Sequence, residues 1–101
     1  DYDIIYKDNV KADVKTKRTK VKPKPFYECS IANYNTHQLC DEYVFVRVLN
    51  DMSKGWILGW MDKDEYLNRA TFMVKGEIDP SNNFRVRADC YNLPISELRS
   101  F

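Results

Sequence analysis

Asp13 and Lys15 stand two residues apart in the stretch Lys11 to Lys17, which reads Lys-Ala-Asp-Val-Lys-Thr-Lys. In an extended strand, residues i and i+2 project to the same face, so this spacing sets a carboxylate beside an ammonium. Ala12 and Val14 then point to the opposite face, expected to be a core face. Upstream, Tyr2 to Tyr6 reads as a first strand, and Lys7-Asp8-Asn9 as a turn. A hairpin built this way returns Asp3 to the side of Asp13. Two carboxylates and one lysine then converge. Such a pair of carboxylates suits a hard divalent cation that keeps several waters. The cation polarises a phosphate and lowers the pKa of a bound water. The lysine stabilises charge developing on phosphoryl oxygens or orients the attacking water.

Asp3, nine intervening residues and then Asp13-Val14-Lys15 resemble the active-site signature of the PD-(D/E)xK, or restriction-endonuclease-like, nuclease superfamily. The chain departs from the pattern in having Tyr2 where a proline stands, and in opening almost on the first motif strand, without the leading helix. A buried strand, a Gly-containing strand and a short acidic-start helix look like the later core of such proteins. The segment Lys75-Gly76-Glu77 and the ending Leu93-Pro94-Ile95 to Leu98 look similar to uncharacterised phage-type members. The resemblance implies Mg2+ or Mn2+ as cofactor, held by Asp3, Asp13 and the Val14 carbonyl, with Lys15 as the transition-state cation. It implies DNA as substrate, and a homodimer where both strands are cut. The rival expectation is a catalytically silent nucleic-acid-binding or assembly module on the same fold. A third is a structural domain whose exposed strand edge pairs with a partner.

The elements that must position these residues follow from the rest of the chain. At 101 residues the sequence reads as one domain, 1–101, and as the C-terminal piece of a longer protein, since it lacks a starting Met. Apolar residues make up 44% and aromatics 14%, enough for a packed core. Net charge is +1, so no global field announces a polyanionic partner. The cations nonetheless cluster early: Lys7, Lys11, Lys15, Lys17, Arg18, Lys20, Lys22 and Lys24. Thr16 to Pro25 is expected to be a basic loop, extending the Asp13 strand briefly before Pro23 and Pro25 end pairing. Lys17, Arg18, Lys20, Lys22 and Lys24 are its candidate phosphate contacts.

Phe26 to Ile31 reads as a strand, with Glu28 as a further acid on the Asp13 face or a surface ion pair. Asp41 to Leu49 is almost continuously apolar and reads as the central strand. Trp56 to Met61 is its hairpin partner, where Gly59 permits a bend or a close approach. Asp62 to Ala70 shifts to helical spacing, with Asp62 as N-cap and Glu65 completing a capping box. Asp79 to Asn83 is a turn, Phe84 to Ala88 a strand, and Asn92 to Leu98 a short terminal helix or turn. Trp56, Trp60, Phe45 and Phe72 are core candidates. The fold expected is mixed α/β: a twisted, mostly antiparallel sheet with one or two short helices.

Cys29, Cys40 and Cys90 are odd in number and unpaired in spacing, which argues for free thiols and a reducing, cytoplasmic location, that of the host cell if phage-encoded. The single histidine, His37, reads as a surface residue, and no zinc site is expected. No apolar run approaches transmembrane length.

Overall fold

The computed structural model describes residues 3–5, 9–80 and 83–101. It is a mixed α/β fold with one α-helix and mostly antiparallel strand pairing. Tyr2, Tyr6, Lys7 and Asp8, part of the expected first hairpin, lie outside the described residues, as do Ser81 and Asn82 of the later turn.

The first sheet has the order β1-β2-β4-β5. β1 (Ile4–Ile5) runs antiparallel to β2 (Lys11–Thr19), and β2 runs parallel to β4 (Glu42–Leu49). β5 (Gly55–Asp62) closes a hairpin with β4. Asn9 has φ 61, the left-handed conformation that asparagine tolerates in tight turns. β4 is central, as its apolar run implies. The parallel β2–β4 pair requires a crossover, and that crossover carries β3 (Glu28–Ala32) into a second sheet. There β3 pairs with β9 (Cys90–Pro94), which also pairs with β6 (Thr71–Met73). β7 (Ile78–Asp79) and β8 (Phe84–Arg85) form a separate hairpin.

The main core lies between the first two sheets. Tyr43 and Phe45 from β4, Met61 from β5, Cys29 and Ile31 from β3, Leu93 from β9 and Tyr66 from the helix form one buried cluster. The helix α1 (Lys63–Arg69) carries Asp64 and Glu65 in its first turn and Arg69 in its last, the charge order that its dipole favours. Its inward residue is Tyr66, stacked on Phe45 at 5.3 Å. The Tyr66 hydroxyl reaches the carbonyls of Cys29 at 3.1 Å and Tyr91 at 2.7 Å, tying the helix to two strands of the second sheet.

Several expectations change. The brief strand extension expected after Thr16 runs to Thr19, because β4 pairs with β2 that far, so Lys17 and Arg18 lie on the strand and the basic loop begins after it. Phe26 is outside β3 and exposed. Glu28 belongs to the second sheet, so it is not on the Asp13 face of the first. No capping box forms: the Asp62 side chain makes no cap bond, and Glu65 turns to Arg99 at 3.0 Å. Cys90–Pro94, partly expected as helix, is the central strand of the second sheet, followed by a 3-10 turn at Ile95–Glu97. β8 stops at Arg85 rather than running to Ala88.

Among the core candidates, Phe45 is buried. Trp56 and Trp60 are only half-buried, Trp60 facing outward as the partner of Val44. Phe72 is exposed on edge strand β6, packed against Tyr91 at 5.0 Å. Gly59 does serve a close approach. Its φ is +146, and a Cβ there would lie 2.5 Å from the Arg99 carbonyl oxygen. Trp60 and Arg99 exchange backbone hydrogen bonds of 2.9 Å across that contact.

Candidate functional site

β2 positions the central pair. Asp13 and Lys15 are Cα partners of Tyr43 and Phe45, so both project to the face that carries the main core. This reverses the expected arrangement, in which Ala12 and Val14 held the core face. Ala12 is fully buried, but Val14 is only half-buried on the outer side. The second sheet covers the Asp13 face because the large aromatics of β4 point that way.

Asp13 is 5% exposed, and its Oδ2 lies 2.6 Å from Lys15 Nζ. Among the described residues that oxygen meets the Lys15 ammonium as an ion pair and has no other donor. Asp3 reaches the same point from just before β1. Its backbone N–H donates to the Ala12 carbonyl at 2.9 Å, and its Oδ2 accepts the Val14 N–H at 2.7 Å. Burial pushes the Asp13 carboxyl above its ordinary value, and a side-chain contact with Asp3 and that residue's charge push it further; Lys15 opposes both. The three residues singled out by spacing therefore do come together.

Gln38 is a member the sequence did not mark. Its side-chain oxygen accepts from Lys15 Nζ at 2.9 Å, and its carbonyl accepts from Lys63 Nζ at 2.6 Å. It comes from the loop before β4, and only the β2–β4 pairing brings that loop to the head of β2. Asp41 fastens the same corner: its carboxylate accepts the Lys11 N–H and its carbonyl the Lys63 N–H, both at 2.9 Å.

The donor set fits a hard divalent cation. Two neighbouring carboxylates disfavour joint ionisation, which a cation relieves, and one Asp13 oxygen has no donor besides Lys15 among the described residues. The N–H and C=O of one strand residue face the same side, so the Val14 carbonyl lies on the side of Asp3. No group of three or more His, Cys, Asp or Glu side chains that could hold a metal ion forms among the described residues.

The basic residues divide. Lys17 shares the face of Asp13 and Lys15, while Arg18 points to the opposite face. Lys20, Lys22 and Lys24 are exposed on the loop beyond β2. Thr19, which ends the strand, is about 13 Å along it from Lys15. β1 pairs only with Lys11 and Ala12, so the edge of β2 from Val14 onward has no strand beside it among the described residues. Among the described residues no helix is long and apolar enough to cross a membrane.

Compared with protein-family models, curated proteins and solved structures, the chain has no match.

Proposed function

We propose that this chain is a Mg2+- or Mn2+-dependent nuclease of the PD-(D/E)xK type that hydrolyses phosphodiester bonds in DNA. The observation that carries the reading is the meeting of Asp3, Asp13 and Lys15 at the head of β2, with an Asp13 oxygen that has no donor besides Lys15 among the described residues. Asp3, Asp13 and the Val14 carbonyl would hold the cation. When bound, the cation supplies Lewis-acid polarisation of the phosphate and a water of lowered pKa.

The chain's own residues supply the rest. Exposed Asp3 and buried Asp13 fix the position of positive charge at the sheet edge, where on the Asp13 side it acts through less water. Lys15 sets a second positive charge beside it for the charge that grows on the phosphoryl oxygens. Gln38 holds the Lys15 ammonium in place through its side-chain oxygen. Lys17, on the same face, and the exposed Lys20, Lys22 and Lys24 would neutralise flanking phosphates. Cutting both strands takes two such sites, hence a homodimer or two successive nicks.

The test is cleavage of supercoiled and single-stranded DNA with Mg2+, Mn2+ or EDTA, comparing the parent protein with Asp13→Asn and Lys15→Met. Metal-dependent cleavage in the parent, lost in both variants, is the expected result. DNA binding that is indifferent to metal and to both substitutions, with no nicking, would replace the enzyme by a silent binding module.

A further inference from the structure

Two residues beyond Lys15 on β2, the cationic face continues into a cavity of about 490 Å³ between the second sheet and the β7–β8 hairpin. Its position follows from register: Lys17 is the Cα partner of Arg47, the next inward residue of β4 after Phe45. Arg47 is 7% exposed. Among the described residues its one hydrogen bond runs from Nη2 to the Glu28 carbonyl, at 2.8 Å, and no carboxylate stands within ion-pair distance. Its guanidinium also lies over the Tyr27 ring at 5.6 Å. A guanidinium has five N–H donors, so most of this buried charge's donors lack a partner within the described protein.

A buried cation with no ion-paired carboxylate is costly, and a second cation beside it adds to the cost, which the charge of Glu28 offsets only in part at Lys17. Partial desolvation and Arg47 push the Lys17 ammonium below its ordinary range. The neighbouring Cys29 thiol cannot supply the missing negative charge, because burial pushes it up to about 12. The cavity also holds Arg87, with Glu28 and Asp79 as its carboxylates. Phe84 and Tyr27 add aromatic rings to its lining. Its volume lies in the range of small-ligand sites, and cations with aromatic rings are the chemistry that holds a phosphate joined to a base.

We propose that this cavity is a nucleotide subsite: a nucleoside phosphate places its phosphate on Arg47 and Lys17 and its base against Tyr27 and Phe84. Resting on the nuclease reading, the occupant is a nucleotide of the substrate strand close to the scissile phosphate. Lys15 and Lys17 are about 6.6 Å apart along one strand face, so one backbone can engage both. The subsite then sets which nucleotide sits beside the cut, and places a bond of the strand at Asp13.

The experiment is calorimetric and NMR titration of the metal-free protein with deoxynucleoside 5′-monophosphates, the matching nucleosides and inorganic phosphate. The expected result is saturable binding of a monophosphate, with nucleoside and phosphate each at least tenfold weaker. Amide shifts should map to β3, β8 and the middle of β2. Lys17→Ala, an exposed change that removes a repulsive neighbour of Arg47, should weaken binding at least tenfold while holding or raising the melting temperature. Arg47→Met should abolish binding; should it fail to fold, Lys17→Ala decides alone. Equal binding of nucleoside and nucleotide, no binding at millimolar ligand, or indifference to Lys17→Ala overturns the proposal. The two readings fail separately. Monophosphate binding without cleavage keeps the subsite and removes the enzyme. Cleavage without monophosphate binding does the reverse.

Discussion

The Asp3 carboxylate accepts the Val14 backbone N–H at 2.7 Å, so the residue just before β1 completes the edge of β2 with its side chain where the strand pairing has ended. That hydrogen bond fixes Asp3 beside Asp13, whose carboxyl it also contacts. Asp3→Asn retains an acceptor for Val14 but loses the negative charge. It should fold with an unchanged melting temperature in EDTA and lose the stabilisation that Mg2+ or Mn2+ gives the parent. Thermal melts with and without metal check this; equal metal-induced shifts in parent and variant would remove Asp3 from the cation site.

The raised Asp13 pKa carries a sign. The folded state holds this proton more tightly than the unfolded chain, where the ordinary value is 3.8. The contribution to stability is therefore fully present below the ordinary value and is lost as pH rises through the raised one. Asp51 and Glu65, whose pKa values are lowered by hydrogen bonds and, for Glu65, by arginines, act oppositely, losing stability as pH falls. The difference between parent and Asp13→Asn isolates the Asp13 part. In EDTA the variant should gain melting temperature relative to the parent as pH rises from 3.5 to 7 on the order of the shift's span. A constant difference across that range would contradict the burial argument.

On the proposed nuclease reading Gln38 is a positioning residue, since it touches Lys15 and would not touch the reacting atoms. Gln38→Ala should lower the cleavage rate by about 10- to 100-fold while leaving metal affinity unchanged, because only the ammonium is released. Gln38→Glu should restore much of the rate, as it keeps an acceptor at the same reach. Parallel loss of metal affinity would mark a structural rather than a positioning role.

Tyr43 is fully buried and its hydroxyl has no hydrogen-bond partner among the described residues. Tyr43→Phe removes an unsatisfied group and keeps the ring packing against Phe45 and Tyr66. It should leave stability unchanged or raise it by about 1 kcal/mol, measured by urea unfolding. Tyr66→Phe should cost about 1 kcal/mol or more, because that hydroxyl bridges two strands of the second sheet. The contrast between the two tyrosines is the check; equal effects would contradict the hydrogen-bond assignment.

Gly59→Ala places a Cβ 2.5 Å from the Arg99 carbonyl oxygen at a φ that side chains rarely adopt. It should destabilise the fold by about 1–3 kcal/mol and free the segment after Leu98 for proteolysis. Unfolding curves and limited digestion read the two effects separately.

Local rules made part of this protein legible. The period of two in an extended chain put Asp13, Lys15 and Lys17 on one face whatever the strand met, because side-chain alternation is set by covalent geometry. The turn chemistry at Asn9 and the apolar run of β4 are local in the same sense, and so is the helical spacing around Tyr66. Gly59 announced a close approach without saying to what. The capping box failed at Glu65 because Arg99, thirty-four residues on, offers a stronger charged partner.

What the tertiary structure decided was which faces and segments meet. The parallel pairing of β2 with β4 set Tyr43, Phe45 and Arg47 against Asp13, Lys15 and Lys17, and moved the core to the face expected to be polar. The same pairing brought Gln38 to Lys15 and sent Glu28 into another sheet. Cys90–Pro94 became a strand because β3 and β6 offer it backbone partners on both sides. Arg47 looked like one polar residue in an apolar strand, and its buried charge over the cavity exists only once β3 covers it. Such pairings are chosen by the apolar area that distant segments bury together, and no stretch of sequence read alone contains that sum.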